Sequence, residues 1–293
     1  MLEAANPPST GSEPARPLKY WLLQDLAEAR RELEAADTGG DVAIHQARRR
    51  LKRVRTLFSV LKPVTSLHHR QCGETAKAAF KQLSGRRDAD AMLKAARWLA
   101  GRTGPALRPA ARALAKRLKL HLAAARTDQV PVADTERLLR IAEADAASLP
   151  EALDTTKLLR DHLIATYRKG RKLYRLARSG ANGDHILHDW RKQVKHRLHL
   201  GQIVAAYDLF EAPFPAEDLD RLADQLGDEH DFATLSAWIK ADPVLGETPE
   251  TTKRLVTAID RRRARLTERA LQLGADLYGD RTRRFARQLT SPS

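Results

Sequence analysis

Apolar residues recur at spacings of three and four along nearly the whole chain, runs of β-branched residues are absent, and Ala and Leu are abundant. That periodicity predicts an all-α protein. Helices are expected over 18–36, 41–62, 65–83, 87–100, 105–126 and 134–147, and again over 154–178, 184–210, 216–227, 230–241 and 249–278. The gaps carry turn chemistry. Thr38, Gly39 and Gly40 supply a C-terminal stop, and Asp41 an N-cap for the helix that follows. Pro63 ends that helix, Gly101 to Pro105 is a turn, and Thr127 to Ala133 is a linker with a proline. Residues 1–16, rich in Pro, Ser and Gly, are expected to be disordered.

The second half repeats the plan of the first. A shift of 143 residues lays His45 on His188, Arg48 on Arg191, Arg49 on Lys192 and Lys52 on Lys195. The same shift lays Leu83 on Leu226 and Asp88 on Asp231. One offset held over that distance predicts an internal repeat. The expected architecture is two antiparallel helical bundles, 17–150 and 151–290, related by duplication and a pseudo-two-fold axis.

Charge sharpens the picture. The 293 residues carry a net +15, with a pI near 10.2, while 42% are hydrophobic, enough for a packed core. The single cysteine, Cys72, excludes an internal disulfide and a Cys-based zinc cluster. No apolar run approaches the roughly 18 residues of a membrane span, and the first residues hold no apolar signal region. Between Asp41 and Glu74 there is no acid but eight Lys/Arg and three His, and between Asp90 and Asp128 no acid but nine Lys/Arg. Such stretches point to a polyanionic partner.

On a helix, His45, Arg48, Arg49, Lys52 and Arg55 share one stripe, with Ala47, Leu51, Val54, Phe58 and Leu61 opposite. His188, Arg191, Lys192, Lys195 and His199 form the second copy, with Trp190, Val194 and Val204 opposite. Arg197 falls on the apolar side, as a snorkelling side chain would. Arg168, Arg171, Lys172 and Arg175 make a third stripe, where the 143-residue shift puts Asp25, Glu28, Ala29 and Glu32 in the first half. Like charges at i, i+4 repel by about 0.2–0.5 kcal/mol a pair, so a dense cluster calls for a counter-charge, and phosphate suits Arg, Lys and His alike. One basic helix face is ordinarily a solvated surface; two at one offset, with a third beside them, favour a binding role. Asp88 and Asp231 stand equally well as helix N-terminal charges or as braces for an arginine of the basic helices.

These residues carry a resemblance. His45-x-x-Arg48-Arg49-x-x-Lys52-x-x-Arg55 and His188-x-x-Arg191-Lys192-x-x-Lys195 resemble the paired signatures of the conserved histidine α-helical domain, the CHAD family. Tyr167-Arg168-Lys169-Gly170-Arg171 resembles the motif ahead of the second signature. Leu83 to Asp90 and Leu226 to Asp231 resemble the family's Leu-Gly-x-x-Arg-Asp segments. The likeness spans about 18–290. Two departures are Leu198, where an arginine is frequent, and His230 in place of the arginine before Asp231. The resemblance implies a basic central groove or pore between two helical bundles. It also implies binding of inorganic polyphosphate and a cytoplasmic place at polyphosphate granules.

Three functions compete. The first is non-catalytic polyphosphate binding through the three stripes, with no cofactor and no metal. The second is nucleic-acid binding by the same faces, although basic runs interleaved with aromatics for base stacking are absent. Weak, non-specific nucleic-acid binding is expected of any surface this basic. The third is phosphate transfer through His45 or His188, for which no Gly-rich phosphate loop or Mg²⁺ carboxylate cluster appears. His185 with His188, and His196 with His199, have the spacing of metal pairs but sit among Arg and Lys, which repel a cation.

Overall fold

A computed structural model of the chain describes residues 18–63, 67–83, 85–125, 132–150, 155–180, 183–206, 215–241 and 248–289. The described residues form eleven helices and no strand. They are α1 (Leu18–Glu34), α2 (Ala36–Leu61), α3 (Leu67–Gln82), α4 (Gly85–Arg102), α5 (Arg108–Ala125), α6 (Val132–Ala147), α7 (Thr155–Arg178), α8 (Asp184–Ala206), α9 (Ala216–Ala241), α10 (Pro249–Tyr278) and α11 (Thr282–Arg287). The N-terminal segment expected to be disordered lies outside the described residues.

Three boundaries differ from expectation. Gly39 and Gly40 do not end a helix: α1 and α2 are parted by Ala35 alone, and α2 runs through both glycines and Asp41. A glycine costs a helix interior only about 1 kcal/mol relative to alanine, which neighbouring turns absorb. Likewise 216–227 and 230–241 are one helix, α9, because Gly227 is accommodated within it, facing the Arg191 side chain. The six-residue α11 has no counterpart in the sequence reading. Elsewhere the local signals hold. Gly180, at φ +80°, closes α7 in the left-handed region that glycine adopts without strain. Thr248 caps α10, its hydroxyl accepting from the Thr251 amide at 3.1 Å, with Pro249 at the first helical position.

Burial carries the 143-residue spacing along one helix pair. On α2 Ala43, Ala47, Leu51, Val54, Leu57, Phe58, Val60 and Leu61 are buried, and on α8 Ile186, Trp190, Val194, Arg197, Leu200, Gly201, Ile203 and Val204 are buried at the corresponding places, whereas Arg48 and Thr56 of α2 and Leu187 and Leu198 of α8 are buried without a buried counterpart. The α1–α7 pair follows a spacing of 141: Leu18, Leu22, Leu26, Ala29 and Leu33 answer to Leu159, Leu163, Tyr167, Gly170 and Tyr174. Arg168, Arg171 and Lys172 therefore stand where α1 has Ala27, Arg30 and Arg31, and Arg175 where it has the acid Glu34.

The apolar cores do not divide at residue 150. One core joins α1, α2, α3, α6, α7 and α8 to the first half of α9 (Leu219, Leu222, Leu226) and the end of α10 (Ala270, Leu277, Tyr278). A second core packs Leu93, Ala96 and Leu99 of α4 and Leu114 and Leu118 of α5 against Phe232, Leu235 and Ile239 of α9 and Leu255, Ile259 and Leu266 of α10. Helices α9 and α10 belong to both.

Candidate functional site

With apolar positions turned inwards, α2 and α8 lie in contact, and α7 touches α2 beside them. The opposite faces of these helices carry the cations. Lys52 and Lys195 are both half-buried and both press electrostatically on His199 of α8, as does Arg53. Arg55 of α2 and Lys169 of α7 press in the same way on His196. The seam of α2, α7 and α8 thus gathers charges from residues more than a hundred positions apart.

At the middle of the seam three polar atoms meet. His162 Nε2 of α7 lies 2.8 Å from His196 Nε2 of α8. The Ser59 hydroxyl of α2 lies 3.2 Å from the first and 3.1 Å from the second. Burial, with Lys169 nearby, holds His162 down at about 4. Burial, with His162, His199, Lys169 and Arg55, holds His196 at about 3. His199, which meets Gln202 Oε1 through Nδ1 at 3.3 Å, is held at about 4 by burial and by Lys52, Lys195 and Arg53, against the pull of Gln202. All three rings are neutral near pH 7.

The other expected residues are placed unevenly. His45 and Arg49 are exposed on α2, Arg49 bonding Gln46 at 3.3 Å. Arg55 is exposed and covers the Phe80 ring at 4.6 Å. Arg48 leaves the stripe: only 7% exposed, it lies 4.8 Å over the same ring and donates to the Leu83 carbonyl. Its guanidinium tethers the end of α3 to α2. Arg191, its counterpart, is half-buried against Gly227. The His188 ring lies tilted against that of His230, centroids 4.5 Å apart, and burial followed by Lys192 and Arg191 lowers its pKa. Lys192 is exposed and pairs with Asp189 at 3.0 Å. Arg168, Lys172 and Arg175 are exposed on α7 and make no ion pair among the described residues. Arg171 is half-buried, its Nε shielded from solvent without a hydrogen-bond partner. Asp88 lies outside the described side chains.

Three features escaped the sequence reading. Arg197 does not snorkel: it is 3% exposed, donates to the Leu277 carbonyl at 2.8 Å, and is enclosed by Tyr167, Tyr278 and Phe285 at 5.1 to 5.2 Å. Arg50 and Arg53 pair with acids of α1, Arg50 with Glu28 at 2.6 Å and Asp25 at 3.5 Å, and Arg53 with Asp25 at 3.0 Å. Burial pushes the Asp25 carboxyl up to about 6 against the pull of those arginines. Finally, His162 and Lys169 join the seam from α7, on one helical face at i, i+7; that spacing was the signal available for them.

The described residues hold no group of three or more His, Cys, Asp or Glu able to bind a metal. No described helix is long and apolar enough to cross a membrane. A family model described as the CHAD domain matches residues 22–240. The crystal structure of the CHAD domain from the plant Ricinus communis superimposes with a TM-score of 0.56 at 16% identity, covering 98% of each chain. No curated protein sequence matches.

Proposed function

The chain belongs to the CHAD domain family, and from that premise we propose that it is a non-catalytic binder of inorganic polyphosphate, held at polyphosphate granules by the basic seam. The observation that carries the reading is the meeting of Lys52 and Arg55 from α2, Lys169 from α7 and Lys195 from α8 around neutral histidines. Cations brought together by the fold repel one another, and a flexible chain of phosphates relieves that repulsion along its length. The exposed stripe of Arg168, Lys172 and Arg175, with Arg49 and His45 on α2, extends the surface.

A chain without bases suits the site better than nucleic acid. Base stacking needs exposed rings. Phe58, Trp190 and Tyr167, the aromatics nearest the stripes, are buried, and among the described large apolar side chains that are exposed, Tyr20 on α1 is the aromatic one.

The test is a titration with long-chain polyphosphate and with single- and double-stranded DNA at matched phosphate concentration and near-physiological salt. Tight binding of polyphosphate with weak binding of both DNAs is expected. Equal or tighter binding of DNA overturns the reading in favour of nucleic acid.

A further inference from the structure

Ser59 Oγ, His162 Nε2 and His196 Nε2 form a triangle with sides of 2.8, 3.1 and 3.2 Å. Its hydrogens can be counted. The Ser59 hydroxyl donates to the Thr56 carbonyl at 2.6 Å, so towards the rings it offers only lone pairs. A contact of 2.8 Å between two ring nitrogens requires one proton between them. The neutral triangle therefore holds a single ring proton, which bridges the two histidines and leaves Ser59 Oγ without a donor from either. One added proton takes the bare Nδ1 of the donor ring, keeps the single hydrogen between the two Nε2 atoms, and makes their contact a charge-assisted bond of an imidazolium to an imidazole. The geometry is that of paired imidazoles set to share one added charge, with the Ser59 lone pairs turned towards them.

Burial first, and charge second, keep the proton out. Lys52, Arg53 and Arg55 face the histidines from α2, Lys169 from α7, and Lys195 and His199 from α8. No described acid stands among the groups that act on His162, His196 or His199. A polyanion docked on the seam cancels the repulsion that these cations impose, and the triangle becomes able to charge.

We propose that the seam is a proton-coupled anion site, in which docking of a phosphate chain on α2, α7 and α8 draws a proton onto the paired imidazoles of the Ser59–His162–His196 triangle. The proposal rests on the polyphosphate reading and adds to it. By linkage, a ligand that prefers the protonated site binds more tightly as pH falls, and its binding removes protons from solution. The ligand itself then sets the protonation of the seam, and the seam holds its ligand more firmly in acid.

The experiment is calorimetric titration of the full chain with long-chain polyphosphate at about pH 6, in two buffers of different ionisation enthalpy, repeated between about pH 7.5 and 5.5. A buffer-dependent heat equivalent to about one proton taken up is expected, with affinity rising by up to about tenfold per pH unit. The paired change His162→Gln and His196→Gln should abolish that uptake while circular dichroism stays helical. If the pair fails to fold, Ser59→Ala, which removes the lone pairs and little volume, should still reduce the uptake. Binding whose heat is the same in both buffers and whose affinity is flat with pH overturns the coupling and leaves the polyphosphate reading standing. Uptake that persists undiminished in the folded His162→Gln/His196→Gln protein also overturns it, placing the proton on other histidines. Absence of binding in every buffer overturns the polyphosphate reading, and the coupling with it.

Discussion

Helices α2 and α8 share most of their buried positions at a spacing of 143 residues, yet they answer their charges in opposite ways. On α2, Arg50 and Arg53 are tied to Asp25 and Glu28 of the adjoining α1. The equivalent positions on α8 are Gln193 and His196, and the adjoining α7 offers Thr166 where α1 has Asp25. One half neutralises its cations internally. The other has in their place a glutamine, which does not ionise, and a histidine that is neutral until something charges it. Shared packing therefore does not imply shared electrostatics, because the core constrains one face of each helix and leaves the other to diverge.

The largest expected effect tests the shared packing. Trp190 stands where α2 has Ala47, and it lies against Gly274 closely enough that a Cβ there would meet its ring at 2.7 Å. Trp190→Ala should cost about 3–5 kcal/mol, read from the urea midpoint, whereas Ala47→Gly should cost about 1 kcal/mol. Comparable losses would show that the two helices do not divide the core unequally. Next in size is the internal neutralisation. Asp25→Ala removes the acid that Arg53 and Arg50 share, leaving Arg50 on Glu28; both arginines are about a third exposed, and the change should destabilise by about 1–2 kcal/mol while tightening polyphosphate binding severalfold. Unchanged affinity would mean that these arginines do not reach the ligand. Smaller again, Lys52→Ala and Lys195→Ala should each lower the slope of log affinity against log salt by about one, since each removes one phosphate contact. A slope that responds to only one of them would confine the site to one half. Smallest is Lys192→Ala, whose exposed pair with Asp189 contributes less than about 1 kcal/mol to stability.

Acid separates the halves further. A histidine that the fold holds below its ordinary value binds its proton less readily folded than unfolded. The stability that depends on neutral His162, His196 and His199 is thus complete above about 6.5 and is lost as pH falls towards 4 and 3. Without ligand, the urea midpoint should drop over that window. His162→Gln with His196→Gln should flatten the drop; an unchanged profile would assign acid sensitivity to other groups.

The helices and the α2–α8 register were legible in the sequence because both follow from the spacing of apolar residues, which one chain displays in full. Partnership between distant helices was not. Nothing local to α4 and α5 says that they pack against α9 and α10, since any apolar stripe satisfies that need. Site residues divided along the same line. Lys52, Lys195 and His199 could be placed on a polar face from their own helices, and they do converge. The inward turn of Arg48 depends on Phe80 and the Leu83 carbonyl of another helix. The enclosure of Arg197 depends on Tyr278 and Phe285, some eighty residues on. His162 looked like any lone histidine beside an apolar stripe until α2 brought Ser59 to it.

The second core also sets a clock. Leu93, Leu99, Leu114 and Leu118 leave the ribosome on α4 and α5, but Leu235, Ile239, Leu255 and Leu266, which cover them, are encoded well over a hundred residues later. At about 5–20 residues per second the nascent hairpin waits on the order of ten seconds with its apolar side bare. During that interval the hairpin is a natural client for a chaperone and an opening for the matching helices of a neighbouring nascent chain. Slowing translation within α9 would lengthen the exposure, and aggregation during synthesis should rise with it.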